Sequence, residues 1–397
     1  MLREAERTAL LTKVQRGSGM GAAVAGMLLI AATYGMARFG VGLFAPYLAA
    51  DRPELLPVLG WAAGAQFTSY ALAATLAARL VDRAPRWGLI LAGVTATVGC
   101  LGVAVATEPA LFIIAVFIGG MGGGFASPSL VPIIDAVVAP GLSSTAQSVV
   151  NTGTAVGVSA SGLLVWALPV VGPAWVLMAL ACAASTITMW QFVRARADLD
   201  SSGSRVSRPA SAPGTGALRS LAIPGMAALL VGAGSSLLWT FGPLILTESG
   251  PVVPEQVGWL WIALGLGGLL GTTTGAVVHR IGRRGGWSVC AGGLALASSG
   301  TALSVSTGEL WIAYASMAAF GAGYMGLTTV LILWARQAWT ENAGAGTSVL
   351  FIALATGQAL GSVGFGAAQE LLNPVPLAVL AAGLCLGGGL AAMAGKR

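Results

Sequence analysis

The chain has 397 residues, of which 56% are hydrophobic and only 9% are Asp, Glu, Lys or Arg. A soluble domain carries about 25% charged residues, because its surface must be solvated. So low a charge density excludes a soluble enzyme, a disordered chain and a nucleic-acid-binding protein, and it leaves lipid as the solvent for most of the sequence.

A bilayer core about 30 Å thick is crossed by roughly 20 apolar residues in helical form. Twelve such segments follow one another, at 21–49, 57–78, 88–106, 110–134, 145–168, 172–193, 221–247, 256–278, 287–306, 310–334, 344–368 and 375–394. The residues ahead of the first are polar and basic, so the first apolar run reads as a retained span. Residues 194–220 are rich in Ser, Arg, Pro and Gly and read as a solvated linker. The expected organisation is an all-α membrane protein of twelve transmembrane helices. An N-terminal six-helix bundle covers 1–193, a cytoplasmic linker 194–220 and a C-terminal six-helix bundle 221–397.

Basic residues orient such a chain, because they are retained on the cytoplasmic side. With the N-terminus inside, eighteen of the twenty basic residues share that face with seven of the fourteen acids. The outer face keeps Arg52 and the other seven acids, and Arg38 is left within the first span. The net charge of +6 is therefore topology rather than affinity for an anionic partner. Both termini are expected in the cytoplasm.

The two halves repeat at an offset of 197: Gly35 matches Gly232, Phe44 matches Phe241 and Pro46 matches Pro243. Arg83 and Arg86, after span two, match Arg280 and Arg283, after span eight. Gly153 and Gly157 of span five correspond to Gly357 and Gly361 of span eleven at a drifted offset of 204. Six spans repeated in tandem give both halves one orientation, and hence a pseudo-two-fold axis along the membrane normal.

Clustered ionisable residues are missing from the spans, as an enzyme would need them. The one histidine, His279, lies among arginines, and the four cysteines fall in spans three, six, nine and twelve without close spacing. No metal, cofactor or catalytic group is expected, and neither is nucleic acid. A membrane enzyme or a receptor without flux is the alternative of another class.

Two loops carry the clearest local pattern. After span two the chain reads Ala78-Arg79-Leu80-Val81-Asp82-Arg83-Ala84-Pro85-Arg86, and after span eight Gly275-Ala276-Val277-Val278-His279-Arg280-Ile281-Gly282-Arg283-Arg284. Both resemble the G-x-L-A-D-R-x-G-R-K signature of the major facilitator superfamily (MFS), in its two expected places. Ala78 and Pro85 replace glycines, and His279 replaces the acid. The resemblance implies a cytoplasmic gate, in which Asp82, Arg83, Arg86, His279, Arg280, Arg283 and Arg284 make contacts that break and re-form between states. Gly153-x-x-x-Gly157-Val158-x-x-Ser161-Gly162 resembles the antiporter motif of the family, with Val158 where proline is expected. Gly153, Gly157 and Gly162 also read as plain helix packing. The run from Tyr34 to Pro46 is similar to the first span of the YbfB/YjiJ-type branch.

Arg38 stands in mid-span, where a charge costs about 3 kcal/mol or more, so it must face a cavity or a partner. Tyr34 shares its helix face, four residues earlier. Two readings are open: a counter-charge for an anionic substrate or coupling carboxylate, and a structural hydrogen-bond hub. Ser127 and Ser129 flank Pro128 in span four, Ser235 is the repeat partner of Arg38, Trp239 follows on span seven, and Tyr324 and Thr328 lie in span ten. Membership of the family would place spans one, four, seven and ten around a central cavity, making these the candidates for contact with a substrate.

The resemblance implies a secondary transporter in the inner membrane of a bacterium. It would act as a monomer in contact with lipid and move a small organic molecule by alternating access. Export by exchange with protons is the favoured expectation, although no Asp or Glu lies near the middle of any span. Uptake of an organic anion, with Arg38 as its counter-charge, is the alternative.

Overall fold

The computed structural model describes residues 19–80, 84–197, 215–339 and 343–394. Asp82, Arg83 and most of the linker lie outside the described residues. Within them the chain is helical. Long apolar runs favour this outcome, since a backbone in hydrocarbon must satisfy its own hydrogen bonds.

In chain order the helices are α1 (Gly19–Met36), α2 (Gly40–Asp51), α3 (Leu59–Leu80), α4 (Pro85–Val105), α5 (Pro109–Val137), α6 (Ser143–Ala167) and α7 (Val171–Ala197). The second half holds α8 (Thr215–Glu248), α9 (Val257–Gly271), α10 (Thr274–Thr307), α11 (Leu310–Ala338), α12 (Ala343–Ala368) and α13 (Pro374–Ala394). Proline opens α4, α5 and α13, where its missing N–H costs nothing. Ten of the helical segments are long and apolar enough to cross a membrane.

Their outer faces are apolar. Leu180, Leu270, Leu296 and Leu390 are each more than half exposed. Trp61, Trp87, Trp166 and Trp311 are likewise exposed near helix ends, where the amphipathic indole sits at the lipid headgroup level. Hydroxyls inside the helices bond back to the carbonyl one turn earlier, as Thr33 does to Leu29 at 2.7 Å.

The helix ends divide by charge. Asp51, Arg52, Glu54, Glu108, Glu248, Glu255, Glu309 and Glu370 mark an acidic end, and Arg79, Arg86, Arg280, Arg283, Arg284 and Arg336 a basic end. Contacts between the two halves run through α6 against α9, α3 against α12, and α2 against α8. They gather toward the acidic end. A Cβ added at Gly162 would stand 2.5 Å from the Gly258 carbonyl oxygen, and one at Gly258 would stand 2.5 Å from that of Gly162. Here glycine is required because two backbones touch. Gly60 of α3 meets the Ser362 carbonyl of α12 in the same way, at 2.7 Å. The Tyr47 hydroxyl donates to the Pro254 carbonyl at 2.7 Å, a further bridge between the halves.

Gly153 and Gly157 play a different part: they seat α6 on the carbonyls of Met27 and Ala31 in α1. Their counterparts Gly357 and Gly361 seat α12 on Leu229 and Ala233 of α8. The repeat thus carries one packing device in two copies.

Two spans expected as single helices are broken. In the first, residues Ala31–Met36 are π-helical and a turn at 37–39 precedes α2. In the eighth, α9 ends at Gly271, a turn follows, and the helix resumes as the first part of α10. That helix then turns sharply at Gly282, whose φ of 75° suits glycine.

Candidate functional site

A cavity of about 970 Å³ lies between the halves. Its walls come from both: α1, α3, α5 and α6 on one side, α9, α11 and α12 on the other, with Thr272 between α9 and α10. Asp135, Ser144, Arg336 and Gly344 stand at its mouth, at the basic end. Tyr34, Tyr70 and Tyr324 form its inner limit. The cavity is therefore open at the basic end, and packed helices close it off from the acidic end.

Its lining mixes apolar surface with polar groups that are mostly uncharged. Ser127, Gln147, Asn151, Thr328 and Thr329 offer hydroxyls and amides, and Ile30, Val131, Met325 and Phe351 offer apolar surface. Some of this polar capacity is already used. Gln147 Nε2 donates to the Val131 carbonyl at 3.0 Å, and Thr328 to that of Met325 at 2.8 Å. The Ser143 hydroxyl donates to Asp135.

Arg38 lies behind the tyrosines and is 1% exposed. The turn at 37–39 carries it between the two helices of the first span. Its guanidinium carbon is 3.9 Å from the ring centre of Tyr70, 4.6 Å from Tyr34, 5.1 Å from Phe39 and 5.2 Å from Phe67. Each ring face attracts the cation through its quadrupole. Nη2 donates to Gln358 Oε1 at 3.3 Å, and Gln358 Nε2 donates to the Tyr324 hydroxyl at 3.0 Å. This chain joins α12 and α11 of the second half to the first span. Arg38 Nε and Nη1 are buried without a partner.

Beyond Arg38, toward the acidic end, the aromatic packing is continuous. Phe39 stacks on Trp239 with ring centres 3.7 Å apart, and Trp239 meets Trp261, Phe320 and Tyr324 edge to face. Thr240 and Ser362 share a hydrogen bond of 3.1 Å across α8 and α12.

Of the residues singled out as cavity candidates, Tyr34, Ser127, Tyr324 and Thr328 line the cavity. Arg38, Ser129, Ser235 and Trp239 do not. Ser129 is buried against α4, where it meets Gly88. Ser235 is buried and bonds back to the Gly232 carbonyl at 3.0 Å. Trp239 belongs to the aromatic closure. Tyr70 and Gln358, both polar residues of apolar spans, complete the surroundings of Arg38. Their signal in the sequence was only that polarity.

At the basic end, Arg86, His279 and Arg280 are exposed. Arg283 and Arg284 line a shallow hollow of about 360 Å³ with Ile281, Gly282 and Trp334. Asp82 and Arg83, the rest of the first gating loop, are outside the described residues. All four cysteines are buried and free. No group of three or more metal-ligating side chains occurs among the described residues.

A bundle of apolar helices in two packed halves, with one large cavity between them open at a single end, defines a membrane transporter. The model of the Major Facilitator Superfamily matches residues 27–362, and the chain belongs to that family. Comparison with curated protein sequences finds no match. Among solved structures, the nucleoside transporter NupG is similar with a TM-score of 0.69 at 12% identity, over 96% of this chain and 98% of that one. The xylose transporter XylE from E. coli, in a partially occluded inward-open conformation, gives 0.66 at 14% identity, over 94% and 97%. A POT family transporter in complex with 5-aminolevulinic acid gives 0.72 at 11% identity, over 94% of each chain. At these identities the likeness is one of fold.

Proposed function

We propose that this chain moves a small organic solute across a bacterial inner membrane by alternating access, as a twelve-pass secondary transporter with its basic end in the cytoplasm. Twelve passes follow if α1 and α2 together make the first, α9 with the start of α10 the eighth, and the rest of α10 the ninth. The excess of arginine at one end supports the orientation. Both termini then lie inside, and 1–193 and 221–397 act as two bundles that rock about the cavity while 194–220 links them.

The observation that carries this reading is the cavity of about 970 Å³, walled by both halves, open at one end and closed by helix contacts at the other. A solute bound there is exposed to one side at a time. Separation of α6 from α9 and α3 from α12 at the acidic end, with closure at the basic end, would expose it to the other side. Export in exchange for protons is the direction we favour, by analogy with the family. Asp135, at the cavity mouth, is an acid that such exchange could use. Uptake of an organic anion is the second reading, and the unpartnered nitrogens of Arg38 favour it.

The test is flux in proteoliposomes containing the full chain, with an imposed pH gradient of either sign or none. Solute movement that responds to the gradient supports proton exchange. Flux indifferent to either gradient removes proton coupling, and no flux of any solute across a broad panel removes the transport reading.

A further inference from the structure

Among the described residues, Arg38 is a fixed positive charge without a carboxylate partner. Unlike lysine, arginine does not lose its proton when buried, so its charge has to be balanced by its surroundings. The acids of the described residues sit at or beyond helix ends, and the ion pair formed among them is that of Asp51 with Arg52. Around Arg38 there are instead four aromatic rings, the Tyr34 hydroxyl and the amide of Gln358. Ring faces, a neutral phenol oxygen and one amide oxygen at 3.3 Å compensate a buried guanidinium only in part.

The unpartnered polar atoms of this cluster are all donors. Arg38 Nε and Nη1 lack acceptors, and so do the indole N–H groups of Trp239 and Trp261 on the far side of Phe39. Donors alone are what an anion would satisfy. A single layer of tyrosine, Tyr34 and Tyr70 at the inner limit, separates the guanidinium from the cavity, and Tyr324 connects to it through Gln358. Among the described residues no second basic side chain lines that inner limit, so the match is to one negative charge. Ile30 and Met325 give the remainder of a ligand apolar contact.

We propose that Arg38 is the binding group for an organic monocarboxylate. Gln358 holds the place of the carboxylate while the site is empty, and Tyr34 and Tyr70 must turn aside to admit it. This deepens the transport reading by naming the substrate class, and it rests on that reading for access through the cavity. It also makes the Gln358 contact a substitute rather than a support, which separates it from a structural hub.

The experiment uses the full chain in nanodiscs and follows tryptophan fluorescence, since Trp239 lies one ring beyond Arg38. Six monocarboxylates from propionate to naphthoate are each titrated beside their primary amides. At least one carboxylate is expected to change the signal saturably while its amide does not. Arg38→Gln should weaken that carboxylate at least about tenfold, and Arg38→Lys should restore part of the affinity. Gln358→Leu, which frees the guanidinium, should tighten it, and this arm does not depend on a folded Arg38 variant. The proposal is overturned if no carboxylate binds, if amides bind as well, or if Gln358→Leu weakens binding. Flux of a neutral solute through the same protein in proteoliposomes would then leave transport standing and remove only the role of Arg38.

Discussion

The contact of Gly162 with Gly258 permits a quantitative test of how the acidic end closes. Replacing Gly162 by alanine places a methyl carbon 2.5 Å from the Gly258 oxygen and 3.0 Å from the Ile262 nitrogen, both of them backbone atoms. An ordinary carbon–oxygen contact is about 3.3 Å, so α6 and α9 must separate by about 0.8 Å at this level. Overpacking of this kind costs about 1–3 kcal/mol. Alternating access implies that the cost falls on the state closed at the acidic end and vanishes when that end opens. The ratio of closed to open protein should then fall by a factor of about 5 to 150. Alanine also favours helix over glycine, but it does so in both states and cancels from the ratio. Ser362 is fully buried in the closure, and the native cysteines are buried too, so Ser362→Cys reports opening to a water-soluble thiol reagent. Under fast exchange between states its labelling rate follows the open population. Gly162→Ala should raise that rate by the same factor. A folded variant that labels no faster than its parent would refute the argument that these backbones meet only in one state.

Three further outcomes follow from other contacts. Tyr47→Phe removes the 2.7 Å bond to Pro254 between the halves and should favour opening by about 0.5–1.5 kcal/mol, read by the same labelling. Arg52 donates to the carbonyls of Val103, Ala104 and Ala106 at 2.7–3.0 Å and so holds the end of α4; Arg52→Ala should lower thermal stability by about 1.5–3 kcal/mol without altering solute selectivity. Cys100, Cys182, Cys290 and Cys385 should resist maleimide in the folded protein and react only on unfolding, which mass spectrometry would count.

Much of the helical plan could be read directly. Hydropathy reports where a chain prefers lipid, and the expected span 88–106 becomes Pro85–Val105, with 344–368 becoming Ala343–Ala368. Averaged hydropathy does not sense whether a helix is continuous. The π-helical turn at Ala31–Met36 and the break after Gly271 therefore left no mark on it. The same limit governed the side chains. Arg38 announced itself by the cost of a charge in hydrocarbon, but its contact with Gln358 spans 320 positions and arises from packing between halves. Span seven is apolar almost all round, so no polar stripe told that Ser235 and Trp239 face other helices rather than the cavity.

Alternating access would be tested most directly by measuring both ends of the molecule at once. Spin labels at Glu54→Cys and Glu255→Cys report the acidic end, where both residues are exposed, and labels at Ser144→Cys and Gly344→Cys report the cavity mouth at the basic end. On adding a transported solute, or on changing the gradient that drives it, the distance across one end should lengthen as the other shortens. Two distances that stay fixed, or that lengthen together, would contradict the account.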